Sequence, residues 1–273
     1  MNELTGKVVL ITGAANGIGA AFVRILVEQG AKHVRVLDID EPSGVLLQNE
    51  LNKKHGDVVK FSRCDISIDE QLFGAFQDVI DNHGYIDIVV NNAGVANESN
   101  STFIRREINI NFTALVNATV KAFELMRKDK GGRGGTVINV SSIAALIHHS
   151  PLLFVYSATK SAVLKFSTSI GKEPYYSTTG VRVITVCYGQ TDTGIMNTLA
   201  SFDEDINFQD TLELFSTQTS EVAAQGTLEA FKNGESGSTW LINDGKPAQD
   251  VTPILNKSYE DLHKLIFKDI TMK

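Results

Sequence analysis

Short apolar runs rich in valine and isoleucine alternate along this chain with longer segments whose apolar residues recur at helical spacing. Continuous apolar runs of about four to eight residues are typical of strands that are buried on both faces of a sheet. Strands that alternate with helices favour a parallel sheet covered by helices on both sides. The pattern therefore predicts an α/β fold with a doubly wound, seven-stranded parallel sheet. The predicted strands are residues 7–12, 33–38, 58–64, 86–91, 136–141, 181–188 and 239–242.

Helices are predicted in the segments between those strands. Ser67 and Glu70 have the spacing of a capping box, which predicts a helix from there to about His83. A longer helical segment is predicted over residues 103–130, and the glycine-rich residues 130–135 then end it in a surface loop. We do not interpret that glycine cluster as a phosphate loop, because no helix start follows it.

One domain accounts for this pattern, because the chain has no internal repeat and no proline- or serine-rich linker. The length of 273 residues is compatible with one domain, since single α/β folds often reach such a length. Residues 1–246 are predicted to form the domain, and residues 247–273 are predicted to be a C-terminal extension.

Composition and charge narrow the class of partner. The net charge of −7 argues against nucleic acids and anionic membranes, because both attract basic surfaces. The chain has neither a signal-peptide pattern nor an apolar run near the roughly 18 residues of a membrane span, so a soluble, cytoplasmic protein is expected. Cys64 and Cys187 lie in predicted strands, which indicates buried thiols rather than a disulfide framework.

A glycine-rich turn lies between the first predicted strand and a helix. Residues 12–19 read Thr-Gly-Ala-Ala-Asn-Gly-Ile-Gly, apolar residues then follow helical spacing, and Gly30 marks the end of the helix. Such a turn lets the backbone approach a pyrophosphate at a helix N-terminus, as in a Rossmann-type fold. An ordinary tight turn is the alternative, because the spacing G-x-x-x-G-x-G alone is weak evidence. The predicted cofactor contacts are Gly13, Asn16, Gly17, Ile18 and Gly19.

Asp38 strengthens the dinucleotide interpretation. It ends the second predicted strand about 20 residues after the turn, where a carboxylate accepts hydrogen bonds from the adenosine ribose hydroxyls. The same charge repels a 2′-phosphate, and Ala15, Asn16 and Ile39 supply no basic side chain. The residues therefore predict NAD rather than NADP, with a solvated strand-end residue as the alternative for Asp38.

Tyr156, Lys160 and Ser142 carry the candidate chemistry. Tyr156 and Lys160 are four residues apart and would share one helix face. A tyrosine, with an ordinary pKa near 10, serves as a base only if its phenolate is stabilised, which a lysine and an oxidised nicotinamide would do. Ser142 follows a strand at the ligand-binding edge and can hold a substrate oxygen. A chance Tyr/Lys spacing and a turn serine are the alternatives.

With these motifs in this order, the chain resembles the short-chain dehydrogenase/reductase family over its length to about residue 245. Asn92, Ala93 and Gly94 lie in a matching Asn-Asn-Ala-Gly motif, and Asn111 matches the asparagine that completes a catalytic tetrad with Ser142, Tyr156 and Lys160. One departure is Tyr188 before Gly189, where the family usually has proline. The resemblance implies cofactor contacts at Asp65, Ile66, Asn92, Ala93, Gly94, Tyr156, Lys160, Gly189, Thr191 and Thr193.

The glycine pattern of residues 131–135 and the Gly-Ser-Thr-Trp-Leu sequence at 237–241 are similar to those of insect alcohol dehydrogenases and 15-hydroxyprostaglandin dehydrogenase. This resemblance implies NAD-dependent oxidation of a primary or secondary alcohol. The same residues allow a carbonyl reductase working in reverse, and a non-catalytic dinucleotide-binding protein is the alternative from another class. Family members commonly pair through two helices, and residues 103–130 and 155–171 are apolar on more than one face. We therefore expect a homodimer or homotetramer.

Two further features complete the sequence-based expectations. His148 and His149 are adjacent and no cysteine or carboxylate cluster accompanies them, so no metal site is expected. Apolar residues after the sixth strand either belong to the core or line a pocket for an apolar alcohol or ketone. These residues are Phe202, Ile206, Phe208, Leu212, Leu214 and Phe215.

Overall fold

A computed structural model of the protein describes residues 3–148, 153–203, 205, 212 and 215–267. These residues form an eight-stranded sheet with the order β3-β2-β1-β4-β5-β6-β7-β8. The first seven strands are mutually parallel, which confirms the predicted fold class. The strands are β1 (Val8–Thr12), β2 (His33–Asp38), β3 (Val59–Arg63), β4 (Ile88–Asn91), β5 (Gly135–Ser142), β6 (Val181–Tyr188), β7 (Ser238–Ile242) and β8 (Gln249–Asp250).

The helices lie on both faces of the sheet and enclose two apolar cores. One core joins the sheet to the face that carries α1, α2 and α8, and the other joins it to the face that carries α3 and α5. The helices are α1 (Gly17–Glu28), α2 (Glu41–His55), α3 (Asp69–His83), α4 (Ser101–Ile108), α5 (Leu115–Met126), α6 (Phe154–Ile170), α7 (Tyr175–Thr179), α8 (Ser220–Asn233) and α9 (Thr252–Ile266). Within the described part of the chain, no helix is long and apolar enough to cross a membrane.

The predicted capping box at Ser67 is wrong, although the helix that it announces is present. Helix α3 begins at Asp69, and its N-cap residue, Ile68, has no side chain that can accept a hydrogen bond. The Ser67 hydroxyl instead donates to Asp65 Oδ1 at 2.6 Å. A nearer local acceptor thus competes with the helix for this serine.

The predicted long helix over residues 103–130 is three connected pieces. Between α4 and α5 the chain forms one turn of π-helix, Asn109–Ala114, and a short 3-10 turn follows at Lys128–Lys130. The glycine cluster after that turn leads directly into β5, so it is a loop before a strand, as predicted. Single π-helical turns inside helices are frequent at functional sites.

The eighth strand was not predicted. It contains only two exposed polar residues, so it has no apolar pattern to mark it. It pairs antiparallel with β7 through Trp240 and Leu241, and α9 follows it. The segment after residue 246 therefore contributes to the same sheet, and the division into a domain and an extension stays a prediction.

Candidate active site

A cavity of about 390 Å³ opens at the carboxyl edge of the sheet, between β1 and β4, where the strand order reverses. Every cofactor contact predicted from the sequence lines this cavity, and so do three of the four tetrad residues. They are Gly13, Asn16, Gly17, Ile18, Gly19, Asp38, Asp65, Ile66, Asn92, Ala93, Gly94, Ser142, Tyr156, Lys160, Gly189, Thr191 and Thr193.

The glycine turn requires glycine for steric reasons. A Cβ atom on Gly13 would lie 2.5 Å from Cα of Ala93, and the φ angle of Gly13 is +62°. A Cβ atom on Gly19 would lie 2.4 Å from the carbonyl oxygen of Gly13. In the described structure no side chain caps α1 at Asn16, and the first turn of α1 has no acidic residue. This helix N-terminus is therefore open toward the cavity for an anion.

The Asn-Asn-Ala-Gly motif is joined to the glycine turn by hydrogen bonds. The Asn92 side-chain amide donates to the carbonyl oxygens of Thr12 at 3.1 Å and Gly13 at 2.7 Å. The Thr12 hydroxyl accepts from the backbone N–H groups of Asn92 and Ala93, both at 3.1 Å. These contacts connect the ends of β1 and β4 and thereby fix the floor of the cavity.

Asp38 lies at the other end of the turn. Its carboxylate accepts hydrogen bonds from the backbone N–H groups of Ala15 and Asp40, both at 3.0 Å. Asp40 was not predicted as a site residue, yet its carboxylate accepts a 2.7 Å hydrogen bond from Asn16. Asp40 also caps α2 and precedes Pro42, which is a helix-start signal that sequence analysis could have used.

Tyr156 and Ser142 line the same cavity. Ser142 follows β5 into a short 3-10 turn and accepts a hydrogen bond from the N–H of Ala144 at 3.2 Å. Burial raises the pKa of the Tyr156 phenol to about 12, and the hydrogen bond with Ser142 opposes that rise. In the protein alone the phenol is thus protonated near neutral pH.

Lys160 is buried one helical turn beyond Tyr156. Its ammonium donates to the carbonyl oxygen of Val140 at 3.1 Å and lies 5.6 Å from the centroid of the Tyr156 ring. Burial lowers the pKa of Lys160 to about 8. In the protein without cofactor, burial therefore determines the direction in which the pKa of the phenol is shifted, and the expected lowering by Lys160 together with an oxidised nicotinamide stays a prediction.

Asn111 lies behind the cavity, in the π-helical turn, and is fully buried. Its side chain accepts from the N–H of Val95 at 2.9 Å and donates to the carbonyl oxygen of Val95 at 2.8 Å. A Cβ atom on Gly94 would lie 3.4 Å from both Asn111 Oδ1 and Lys160 Nζ. Gly94 therefore lies against both of these tetrad side chains, and a larger residue at this position would contact them.

The loop after β6 shows how tyrosine replaces the proline usual in the resembled family. Tyr188 continues β6, and its hydroxyl forms a 2.5 Å hydrogen bond with Thr227 of α8. The next N–H, of Gly189, donates to the carbonyl oxygen of Ile242 at 2.8 Å. The loop then approaches the glycine turn, since a Cβ atom on Gly17 would lie 3.2 Å from Thr193 Cγ2.

Two buried acids beside the tetrad were missed by sequence analysis. Glu98 is 1% exposed and accepts a 2.8 Å hydrogen bond from the backbone N–H of Tyr156. Glu107 is fully buried and accepts a 2.7 Å hydrogen bond from the N–H of Asn97. Both occupy polar segments, where a glutamate resembles an ordinary solvated residue, so the sequence gives no signal for them.

The remaining candidates divide between the cavity, other contacts and the part of the chain that is not described. Leu212 and Phe215 line the cavity, whereas Phe202 contacts Phe154. Ile206, Phe208, Leu214 and His149 lie outside the described residues. Cys64 and Cys187 are buried free thiols, and burial raises their pKa values to about 11 and about 12. In the described residues no group of three or more His, Cys, Asp or Glu side chains could hold a metal.

The fold and the site together define a class of protein: a doubly wound α/β fold with a dinucleotide-type cleft that Ser142, Tyr156 and Lys160 line and that Asn111 supports from behind. The family model described as short chain dehydrogenase matches residues 7–204. The chain belongs to the short-chain dehydrogenase family.

Similar proteins include two kinds of dehydrogenase. Alcohol dehydrogenase 1 of Ceratitis cosyra is 33% identical over 247 residues, which cover 89% of this chain and 94% of that protein. The 15-hydroxyprostaglandin dehydrogenase [NAD(+)] of Bos taurus is 37% identical over 200 residues, which cover 72% of this chain and 73% of that protein.

Solved structures share the fold at lower identity. A 3-ketoacyl-(acyl-carrier-protein) reductase from Brucella melitensis complexed with NADH has a TM-score of 0.76 at 22% identity, over 88% of this chain and 98% of that one. A short chain dehydrogenase/reductase from Burkholderia phymatum in complex with NAD has a TM-score of 0.76 at 20% identity, over 100% of this chain and 99% of that one.

Proposed function

We propose that the protein oxidises an apolar primary or secondary alcohol to the aldehyde or ketone with NAD as the hydride acceptor. The observation that carries this proposal is the placement of Ser142, Tyr156 and Lys160 in the same cavity as the open N-terminus of α1 and the Asp38 carboxylate. One end of the cavity thus offers acid–base chemistry to a hydroxyl, and the other offers an anion site and a ribose acceptor.

The residues around the glycine turn fit NAD. Gly13 and Gly19 allow the turn to pack closely against Ala93 and Asn92, and the uncapped first turn of α1 then faces the cavity, where a pyrophosphate can approach it. Asp38 places a carboxylate at the end of the cavity where the adenosine ribose would lie, which favours free hydroxyls over a 2′-phosphate, and Asp40 binds Asn16 of the glycine turn beside it. The three similar proteins whose names or titles specify NAD or NADH are consistent with this choice.

In the proposed reaction Tyr156 accepts the proton of the substrate hydroxyl while Ser142 holds the substrate oxygen. When bound, NAD supplies the hydride acceptor, carbon 4 of its nicotinamide, and a positive charge. Lys160 keeps a second cation beside the phenol and donates to the nicotinamide ribose, as the family resemblance implies. Asn111 holds the backbone of Val95 behind Lys160 and supports the route by which the proton leaves.

An apolar substrate follows from the side chains that line the cavity beyond Ser142. A pocket of this kind excludes water and selects a substrate with an apolar body. The apolar lining residues are Ile143, Leu153, Ile195, Met196, Leu199, Leu212 and Phe215. A cytoplasmic location and a homodimer or homotetramer stay predictions, with the exposed apolar side chains of Phe103, Ile108 and Val120 as candidate contacts between copies.

One observation favours carbonyl reduction as the second candidate. A phenol with a pKa of about 12 is held in the form that donates a proton to a carbonyl oxygen. The same tetrad then works in reverse, with the hydride passing to the substrate. A non-catalytic dinucleotide-binding protein is the remaining alternative, and the complete tetrad argues against it.

The decisive experiment measures turnover of a panel of primary, secondary and long-chain alcohols with NAD, together with the matching ketones and NADH. Tyr156→Phe removes one oxygen atom and should lower kcat on the order of a hundredfold or more, while NADH titration still detects binding. Tyr85→Phe, at the opposite edge of the sheet, is the matched control. A near-normal kcat in Tyr156→Phe would contradict the proposed mechanism. Binding of NADH without turnover in the wild type would favour the non-catalytic alternative.

A further inference from the structure

Helix α6 carries Tyr156 and Lys160, yet none of the described residues next to its N-terminus caps it with a side chain. The N-cap residue is Leu153, which has no hydrogen-bonding side chain and adopts a left-handed conformation with φ of +56°. The first N–H groups of a helix have no partner within the helix and need one from elsewhere. Here the partner is distant in sequence.

Glu98 supplies that partner from the loop between β4 and α4. Its Oε1 atom accepts a 2.8 Å hydrogen bond from the N–H of Tyr156 itself. Burial raises the pKa of the Glu98 carboxyl, and the N–H groups of Tyr156, Val155 and Phe154 oppose that rise by binding the charged form. The start of α6 thus binds a buried carboxylate through the N–H of Tyr156, and the N–H groups of Val155 and Phe154 favour its charged form. Its charge also suits the positive end of the helix dipole.

The same residue is connected to the loop that follows β6. The backbone N–H of Glu98 donates to the carbonyl oxygen of Ala200 at 2.7 Å. Beside this contact the rings of Phe154 and Phe202 lie with their centroids 5.5 Å apart. Met196 and Leu199, just before Ala200, line the cavity. Glu98 therefore lies between the catalytic helix and a wall of the substrate pocket.

Glu107 helps to keep the negative charge on Glu98. Burial raises the pKa of Glu107 to about 7, and the nearby charge of Glu98 contributes to the rise. The groups that face Glu107 with opposite effect are the N–H of Asn97 and the Lys160 ammonium. Two buried carboxylates close together do not both ionise readily. Near neutral pH Glu107 therefore carries the proton more readily than Glu98 does.

We infer that Glu98 is a positioning residue for Tyr156: its carboxylate caps α6 across space and couples the position of the phenol to the loop around Ala200. The inference rests on the proposed function at one point only, which is the role of Tyr156 as the catalytic acid or base. The cap itself is a property of the protein without substrate or cofactor, so it is measurable separately.

Hydrogen exchange of the α6 amides tests the cap without any turnover. In Glu98→Ala, the amides of residues 154–156 should exchange about tenfold faster, while those of residues 163–170 in the same helix stay at the wild-type rate. Glu98→Gln keeps the size and one acceptor oxygen, so it should give a smaller increase. Glu221→Gln removes a charge at the exposed N-terminus of α8 and is the control, with no change expected in α6.

Steady-state kinetics test the positioning. Glu98→Ala should lower kcat about tenfold with a smaller change in the KM for NAD, and Glu98→Gln should recover part of kcat. Unchanged exchange at residues 154–156, or an equal rise at 154–156 and 163–170, would overturn the inference. If Glu98→Ala does not fold, Glu98→Gln decides by the same comparison of exchange rates at residues 154–156 and 163–170. If the wild type oxidises no alcohol, the proposed function fails and the exchange result still decides the cap.

Discussion

The N-termini of helices α1 and α6 both face the cavity. In the described structure the N-terminus of α6 is capped by a side chain, whereas the N-terminus of α1 is not. At α1 the first turn contains glycines, no acid and no side-chain cap within the described structure. At α6 the buried carboxylate of Glu98 already accepts a hydrogen bond from the N–H of Tyr156 in the first turn. A negative group at a helix N-terminus contributes roughly 0.3–1 kcal/mol, and up to about 2 kcal/mol when partly buried. A helix that binds an anion must keep its N-terminus free, whereas a helix that holds a catalytic phenol benefits from having it filled from within.

The largest effect is expected from a substitution that disturbs the glycine turn at the uncapped N-terminus of α1. In Gly19→Ala the new methyl group would overlap the carbonyl oxygen of Gly13 and the Asn92 amide. We expect the Kd for NADH, measured by fluorescence titration, to rise on the order of a hundredfold. Gly74→Ala in α3 is the control, since its Cβ would meet nothing within 4 Å, and it should leave the Kd unchanged. Equal affinity in Gly19→Ala and the wild type would contradict the open-terminus interpretation.

A second substitution sharpens the comparison on the α1 side. Asp38→Ala removes the acceptor for the Ala15 and Asp40 N–H groups and the carboxylate at the ribose end of the cavity. The preference for NAD over NADP, measured as a ratio of kcat/KM values, should fall about tenfold. A wild-type ratio near one would refute the assignment of Asp38.

A third substitution acts on the α6 side without touching its cap. Lys160→Met removes the cation 5.6 Å from the Tyr156 ring. Because the phenolate then loses its nearest positive charge, the pH at which alcohol oxidation reaches half its maximum should rise by about one unit. The pH profile of kcat measures this directly. An unchanged midpoint would mean that Lys160 holds only the cofactor.

The smallest expected effect is on the pH dependence of stability, and it concerns Glu107, the buried acid near Glu98. Folding raises its pKa from 4.5 to about 7, so its contribution to stability is complete below about pH 4.5 and is lost as the pH rises through 7. Glu107→Gln remains neutral. Its free energy of unfolding relative to the wild type should therefore increase between pH 5 and pH 8, on the order of 1 kcal/mol, by urea denaturation. A difference independent of pH would show that Glu107 is already ionised in the folded protein.

Sequence analysis predicted the α1 half of the site better than the α6 half, for a physical reason. The glycine turn and Asp38 act through local backbone geometry, so their spacing in the chain carries the information. Glu98 acts on a helix that begins 56 residues later, at Phe154, and nothing in its immediate sequence marks that contact. The π-helical turn at Asn111 and the two-residue strand β8 were missed for a related reason, since packing rather than periodicity produces them.

Strand β8 has a consequence for how the protein avoids aggregation. The last strand of a sheet exposes unpaired N–H and C=O groups that can template the addition of another chain. On one side β8 covers β7 with only two residues and turns at once into α9, so the row of open groups is short. On the other side β3 displays the charges of Lys60 and Arg63 to solvent. Loss of the segment after residue 246 would expose the edge of β7 at Trp240 and Leu241. This longer unpaired edge could then pair with a strand of another chain.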